Sequence, residues 1–133
     1  MTTLVDSNVL LDVLTEDVSW FDWSSMMLEQ AAEGGRLVIN PLVYAEVSLG
    51  FERIEELDAA LPAEHFAREP LPWESAFLAA RAFLKYQRGG GTRVHPLPDF
   101  YIGAHAAIAG YTLLTRDARR YRSYFPKLRV VAP

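Results

Sequence analysis

Cysteine is absent from the 133 residues, and histidine occurs only three times. The first absence excludes a disulfide scaffold, thiolate zinc sites and a cysteine nucleophile, and it suits a reducing compartment. No apolar run approaches the roughly 18 residues that crossing a bilayer requires. The opening Met-Thr-Thr-Leu-Val-Asp has neither a basic segment nor a long apolar stretch, so no signal peptide is expected. Internal repeats and low-complexity tracts are also missing, and no Gly-rich phosphate loop follows the first apolar segment. A cytoplasmic protein with no membrane partner is expected.

What is present is ample apolar material. Half of the chain is apolar, enough for one sizeable core, and the length is that of one domain spanning residues 1–133. The net charge of −4 conceals an asymmetry. Residues 1–80 carry 3 Lys/Arg against 15 Asp/Glu, whereas residues 81–133 carry 10 against 2. A basic segment of this kind offers a face to a polyanion, although folding can also mix the two halves on one surface. The two acids of the basic half are Asp99 and Asp117, each at an expected helix start.

Strand and helix signals alternate. Residues 2–5 read as a short strand ending at Asp6, and Val9, Leu10, Val13 and Leu14 give a helical period after Ser7. A second helix over 22–33 ends at Gly34-Gly35, and Leu37-Val38-Ile39 is a strand. Asn40-Pro41 starts a helix running to about Gly50, with Asn as cap and Pro in the first turn. Further helices are expected over 52–60, 74–87, 100–109 and 118–123, with strands over 111–114 and 128–131 and an extended piece at 64–68. Residues 89–98, rich in Gly and Pro and holding Arg93 and His95, read as a flexible surface loop. The alternation implies a parallel α/β sheet of four to five strands with helices on both faces.

In such sheets ligands bind beyond the carboxyl ends of the strands. Asp6 and Asp117 follow strands, Asp99 begins the helix leading into strand 111–114, and Glu46 lies in the helix after strand 37–39. Asp6, Asp99 and Asp117 are each also suited to capping a helix. Glu46 sits on the apolar stripe of its helix, between Leu42, Val43 and Leu49, where a carboxylate needs a partner or a metal. Clustered carboxylates repel one another and are reconciled by divalent cations; hard oxygen donors suit Mg²⁺ or Mn²⁺. Such a centre can activate water and steady a phosphate. The hydroxyls of Ser7 and Thr115 and the amide of Asn8 are placed to hold the acids or a water.

The motifs carrying these residues resemble the PIN domains. Leu-Val-Asp-Ser-Asn-Val-Leu-Leu at 4–11 resembles their first strand and helix, and Pro-Leu-Val-Tyr-Ala-Glu-Val at 41–47 their second motif. Leu-Pro-Asp-Phe-Tyr-Ile-Gly-Ala-His-Ala at 97–106 and Leu-Leu-Thr-Arg-Asp at 113–117 resemble the third and fourth. In size the chain is most similar to the VapC toxins of bacterial and archaeal toxin–antitoxin pairs. The resemblance implies a PIN-like three-layer α/β/α fold and an Mg²⁺- or Mn²⁺-dependent endoribonuclease. Asp6, Glu46, Asp99 and Asp117 would be its catalytic and metal residues. It also implies a homodimer and a cognate VapB-type antitoxin. Two departures stand out: the hydroxyl after the first Asp is Ser7 where relatives often have Thr, and Ala118, Arg119 and Arg120 stand where many relatives carry another acid. That second departure leaves one-metal chemistry open.

Arg88, Arg93, Arg116, Arg119, Arg120 and Arg122 are candidates for contact with an RNA backbone, foremost Arg116 beside Asp117, then Arg93 and Arg119. His105, six residues beyond Asp99, falls on another helix face and is expected packed or at a dimer surface, and neither it nor His95 is expected as a ligand. Trp20, Trp23 and Trp73 are expected as core or partner-facing anchors. The helices at 22–33 and 52–60 are the expected groove for an antitoxin helix. An aspartyl-phosphate phosphatase or a receiver domain would want a second acid close after Asp6, where Asn8 stands. The remaining alternative is a degenerate PIN-like domain that binds RNA or protein without catalysis.

Overall fold

Apolar strands alternating with amphipathic helices produce the expected layered sheet. A computed structural model describes residues 1–94 and 97–133. Among these residues five strands are formed: β1 (Thr3–Val5), β2 (Leu37–Ile39), β3 (Ala67–Arg68), β4 (Thr112–Leu114) and β5 (Val130–Val131). They pair in the order β3-β2-β1-β4-β5, every pair parallel. Seven helices accompany them: α1 (Ser7–Leu14), α2 (Phe21–Gly34), α3 (Pro41–Ser48), α4 (Ile54–Ala60), α5 (Trp73–Arg88), α6 (Pro98–Ala109) and α7 (Arg119–Tyr124).

The strand order sets the layers. From β1 the chain moves through β2 to β3 in one direction, then returns across the sheet to β4 and on to β5. Right-handed crossovers therefore place α1–α4 on one face and α5–α7 on the other. The contacts agree, with α1 against α2 and α3, and α5 against α6 and α7. Strands β1, β2 and β4 are wholly buried, as a sheet covered on both faces requires. The core is continuous from Leu4, Val5 and Val38 in the sheet to Phe100 and Ile102 on α6. No helix among the described residues is long and apolar enough to cross a membrane.

The order also creates a crevice. Neighbouring β1 and β4 feed helices to opposite faces, so their carboxyl ends form the topological switch point at which α/β sheets bind ligands. The Asp6 N–H donates to the Leu114 carbonyl at 2.9 Å, which locks the two strand ends together.

Local signals explain how the site helices begin. Asn40 caps α3, its Oδ1 accepting from the Val43 N–H at 3.0 Å, with Pro41 in the first turn. α6 begins at Pro98 with Leu97 in the cap position and no side-chain cap. Asp99 therefore lies inside the first turn and not at the cap, and its carboxylate is left for other partners. Gly110 closes α6 in the left-handed conformation at φ 73°. Gly103, midway along α6, is needed for close approach: a Cβ there would stand 2.6 Å from the Phe125 ring and 3.0 Å from the Tyr121 ring. That missing methyl lets α7 settle onto α6.

Candidate metal centre

Asp6 is almost fully buried at the carboxyl end of β1. Its Oδ1 accepts from the Ser7 N–H at 2.8 Å. Its Oδ2 accepts from the Thr115 hydroxyl at 2.8 Å and the Tyr121 hydroxyl at 2.9 Å. All three donors are neutral. Burial pushes the Asp6 carboxyl above its ordinary range, and the Asp99 charge adds to that, against the hydrogen bonds of Thr115, Tyr121 and Ser7.

Glu46 comes from α3 on the other side of the crevice and is half-buried. Its Oε1 accepts from the Ser7 hydroxyl at 2.9 Å. Burial raises its pKa first, and the charges of Asp6 and Asp99 raise it further. Asp99 offers Oδ1 to the Tyr121 hydroxyl at 3.2 Å and Oδ2 to Arg120 Nη1 at 3.3 Å. Three carboxylates from three elements thus share one neighbourhood, and Glu46 feels the charge of both Asp6 and Asp99.

The supporting residues act at successive removes. Ser7 orients both Asp6, by its N–H, and Glu46, by its hydroxyl. Thr115 gives its single hydroxyl proton to Asp6 and accepts from Asn8 Nδ2 at 3.3 Å and from the Asp117 N–H at 3.2 Å. The Asn8 Oδ1 accepts from the Arg116 N–H at 3.1 Å. Asn8 therefore holds the turn after β4 and touches no carboxylate.

Tyr121 escaped the sequence reading. Its hydroxyl stands between Asp6 and Asp99, and burial with two adjacent carboxylates lifts its pKa well above the ordinary tyrosine value. The proton stays on the ring oxygen, which makes Tyr121 a donor to both acids. Nothing in the sequence of the short helix α7 marks it. Its place depends on Gly103, eighteen residues earlier, whose lack of a side chain admits the ring.

Asp117 stands apart from the three. Its side chain is 62% exposed, and its Oδ1 accepts from the Arg119 N–H at 3.2 Å, with Arg119 Nε at 3.6 Å. It meets Asp99 only as part of the wall of an open cleft of about 390 Å³, lined also by Tyr86, Arg119, Arg120 and Tyr124. Arg116, expected toward RNA, turns instead to Asp12, gripping it through Nε at 2.9 Å and Nη2 at 3.0 Å and stacking over Trp20. Arg119 and Arg93 are exposed. His95 lies outside the described residues. His105 is packed, its Nδ1 3.0 Å from Asn40 Nδ2. Trp20 and Trp23 meet edge to face and half-buried, whereas Trp73 is 90% exposed and anchors nothing within the chain.

The donor set suits a hard cation. Asp6 and Glu46 are desolvated carboxylates whose hydrogen-bond partners are all neutral groups. Among the described residues, no three acidic, imidazole or thiolate groups stand close enough to close round one ion. A Mg²⁺ ion held by one or two carboxylates keeps most of its water.

The family model described as PIN domain matches residues 3–126. A VapBC2 structure from Rickettsia felis, bound to a DNA fragment from its promoter, is similar with a TM-score of 0.77 at 17% identity, covering 100% of this chain and 99% of that one. VapBC-1 from nontypeable Haemophilus influenzae gives 0.75 at 16% identity, covering 99% and 98%. DNA-bound VapBC from Salmonella typhimurium gives 0.73 at 17% identity, again covering 99% and 98%. At such identities the likeness concerns the fold. No curated protein sequence matches the chain.

Proposed function

Because the chain belongs to the PIN domain family, we propose that it is an Mg²⁺- or Mn²⁺-dependent endoribonuclease, the toxin of a VapBC-type toxin–antitoxin pair. The observation carrying this reading is the gathering of Asp6, Glu46 and Asp99 at the switch point between β1 and β4, two of them desolvated and raised in pKa. Asp6, Glu46 and Asp99 would share the ion, one or two of them directly and the others through its water, with Asp117 reaching that water from the cleft wall. A divalent ion bound there supplies charge that draws in a phosphate oxygen and acidifies a water.

The chain's own residues do the rest. Thr115 and Tyr121 keep Asp6 facing the crevice, and Ser7 keeps Glu46 turned toward it. Tyr121 holds a proton between the acids and spaces them. Arg119 and Arg93, both exposed, would meet phosphates of an RNA strand, and Arg116, engaged with Asp12, would offer only its outer edge. The partners of this reading are an RNA substrate, a second copy of the chain and a VapB-type antitoxin lying against α2 and α4. The solved neighbours are themselves VapBC assemblies.

A second reading has an observation of its own. Asp117 is exposed and Asp99 is paired with Arg120, the arrangement of a degenerate PIN-like domain that binds RNA or protein without catalysis. One experiment separates the two: mixed cellular RNA incubated with pure protein in Mg²⁺, Mn²⁺ or EDTA, beside Asp6→Asn. Metal-dependent fragments that disappear in the variant are expected. No fragments, with no Mn²⁺-induced rise in melting temperature, would leave the degenerate domain.

A further inference from the structure

The acid cluster carries a permanent cation of its own. Arg120 on α7 approaches Asp99 Oδ2 at 3.3 Å, while the next residue, Tyr121, approaches Oδ1. The Arg120 guanidinium also lies over two ring faces, 5.9 Å from the centre of Tyr86 and 5.7 Å from that of Phe100. Those rings are fixed: Phe100 is fully buried, and Tyr86 meets it edge-on at 5.6 Å. A planar, weakly hydrated guanidinium suits such a platform better than a strongly hydrated ammonium. Asp99 and Phe100 are adjacent on α6, so one helix start provides both the acid and the seat for the cation.

We propose that Arg120 is a built-in counter-charge of this centre: it takes the place of a second divalent ion beside Asp99, so that the site accepts one divalent ion per chain. The inference rests on the metal-dependent reading above. Two observations point the same way. Asp99 meets this side of the crevice with both oxygens engaged, one by a neutral donor and one by the cation. Asp117, the acid of the fourth motif, is turned outward, its Oδ1 accepting from the Arg119 N–H. A guanidinium sharing Asp99 with a divalent ion also repels that ion, so Arg120 sets the affinity of the single site as well as the count.

Isothermal titration of the full chain with Mn²⁺ tests this without any activity measurement. Wild type is expected to bind one ion. Arg120→Met, which keeps an apolar stem over the rings, is expected to bind it about tenfold tighter, the effect of removing a unit charge about 6 Å from a doubly charged ion at a water-like dielectric. Arg120→Lys, which keeps the charge, is expected to stay close to wild type. Metal-free melting curves establish that both variants are folded. Two ions per wild-type chain would overturn the proposal, as would equal or weaker binding by folded Arg120→Met, or Arg120→Lys behaving as Arg120→Met. Each of these leaves the nuclease reading standing if Asp6→Asn still loses Mn²⁺. No Mn²⁺ binding by wild type, Arg120→Met and Asp6→Asn alike would instead remove that reading and this proposal with it.

Discussion

Neutralising Asp6 should stabilise the metal-free protein and abolish its response to Mn²⁺. The Tyr121 hydroxyl lies 2.9 Å from Asp6 Oδ2 and 3.2 Å from Asp99 Oδ1. The two oxygens are therefore no more than about 6 Å apart, and unit charges at about 5–6 Å repel by roughly 3 kcal/mol at an effective dielectric of about 20. Asp99 is 35% exposed and paired with Arg120, so solvent and the guanidinium screen part of this, leaving about 1–2 kcal/mol. Asp6→Asn removes that repulsion. Its amide oxygen still accepts from the Ser7 N–H, and its NH₂ meets the Thr115 and Tyr121 hydroxyls, both able to accept. A domain of this length gains about 3–8 °C in melting temperature from such a change. The assay is calorimetry at pH 7 in EDTA, then with Mn²⁺. At an ion concentration about 100 times the Kd, wild type gains roughly 2.7 kcal/mol and the variant gains nothing. Asp6 and Glu46 titrate higher in the folded chain than in the unfolded one, so their effect on stability improves as pH falls through the folded value toward the unfolded one, and worsens on the way up. A metal-free variant that keeps native circular dichroism yet melts several degrees lower would refute the reasoning, because the cap that Asp6 gives α1 would then outweigh the repulsion.

Three other changes test the frame around the site. Gly103→Ala places a methyl against the Phe125 and Tyr121 rings, and a cost of about 1–3 kcal/mol in urea unfolding is expected; an unchanged midpoint would mean that α7 shifts freely. Asp12→Ala strands Arg116 and the Ser24 hydroxyl, and because Arg116 is partly exposed the loss is expected near 2 kcal/mol, well above that of a surface pair; a loss under about 0.5 kcal/mol would show the pair to be no stronger than one in solvent. His105 is held neutral: Asn40 Oδ1 caps α3, so its NH₂ faces Nδ1, and burial lowers the His105 pKa against the opposing pull of Glu69. The unfolded chain takes up the proton near the ordinary value of 6.5, before the folded one does, so this contribution is complete above that pH and is lost as pH falls toward the folded value. The stability advantage of wild type over His105→Gln is expected to shrink below that pH, and a constant difference would contradict this account.

Local chemistry made much of the fold legible. Asn40-Pro41 announced α3, and Gly34-Gly35 closed α2, because caps and stops depend on neighbours in sequence. Strand β3 shrank to two residues, Ala67–Arg68, since its edge position is set by pairing with β2 and not by its own pattern. Asp99 was legible as an acid at a helix start, but the cap belongs to Leu97, which frees the carboxylate. What stayed hidden depends on long-range placement. Tyr121 needs Gly103 on another helix, and the grip of Asp12 on Arg116 joins residues 104 apart. Asp117 sits in the expected motif, yet its oxygen is drawn by the Arg119 N–H two residues on, a local turn that competes with the cluster.

The bonds that close the acid cluster join Asp6 to Thr115 and to Tyr121, separations of 109 and 115 residues. During synthesis the amino-terminal acid therefore emerges long before the residues that hold it. A chain interrupted short of Tyr121 carries Asp6, Glu46 and Asp99 without the hydroxyls that space them, and one interrupted before β4 lacks the strand end that fixes Asp6. The acid cluster is thus assembled only once synthesis has passed Tyr121, and partial products that stop short of it are expected to bind no Mn²⁺.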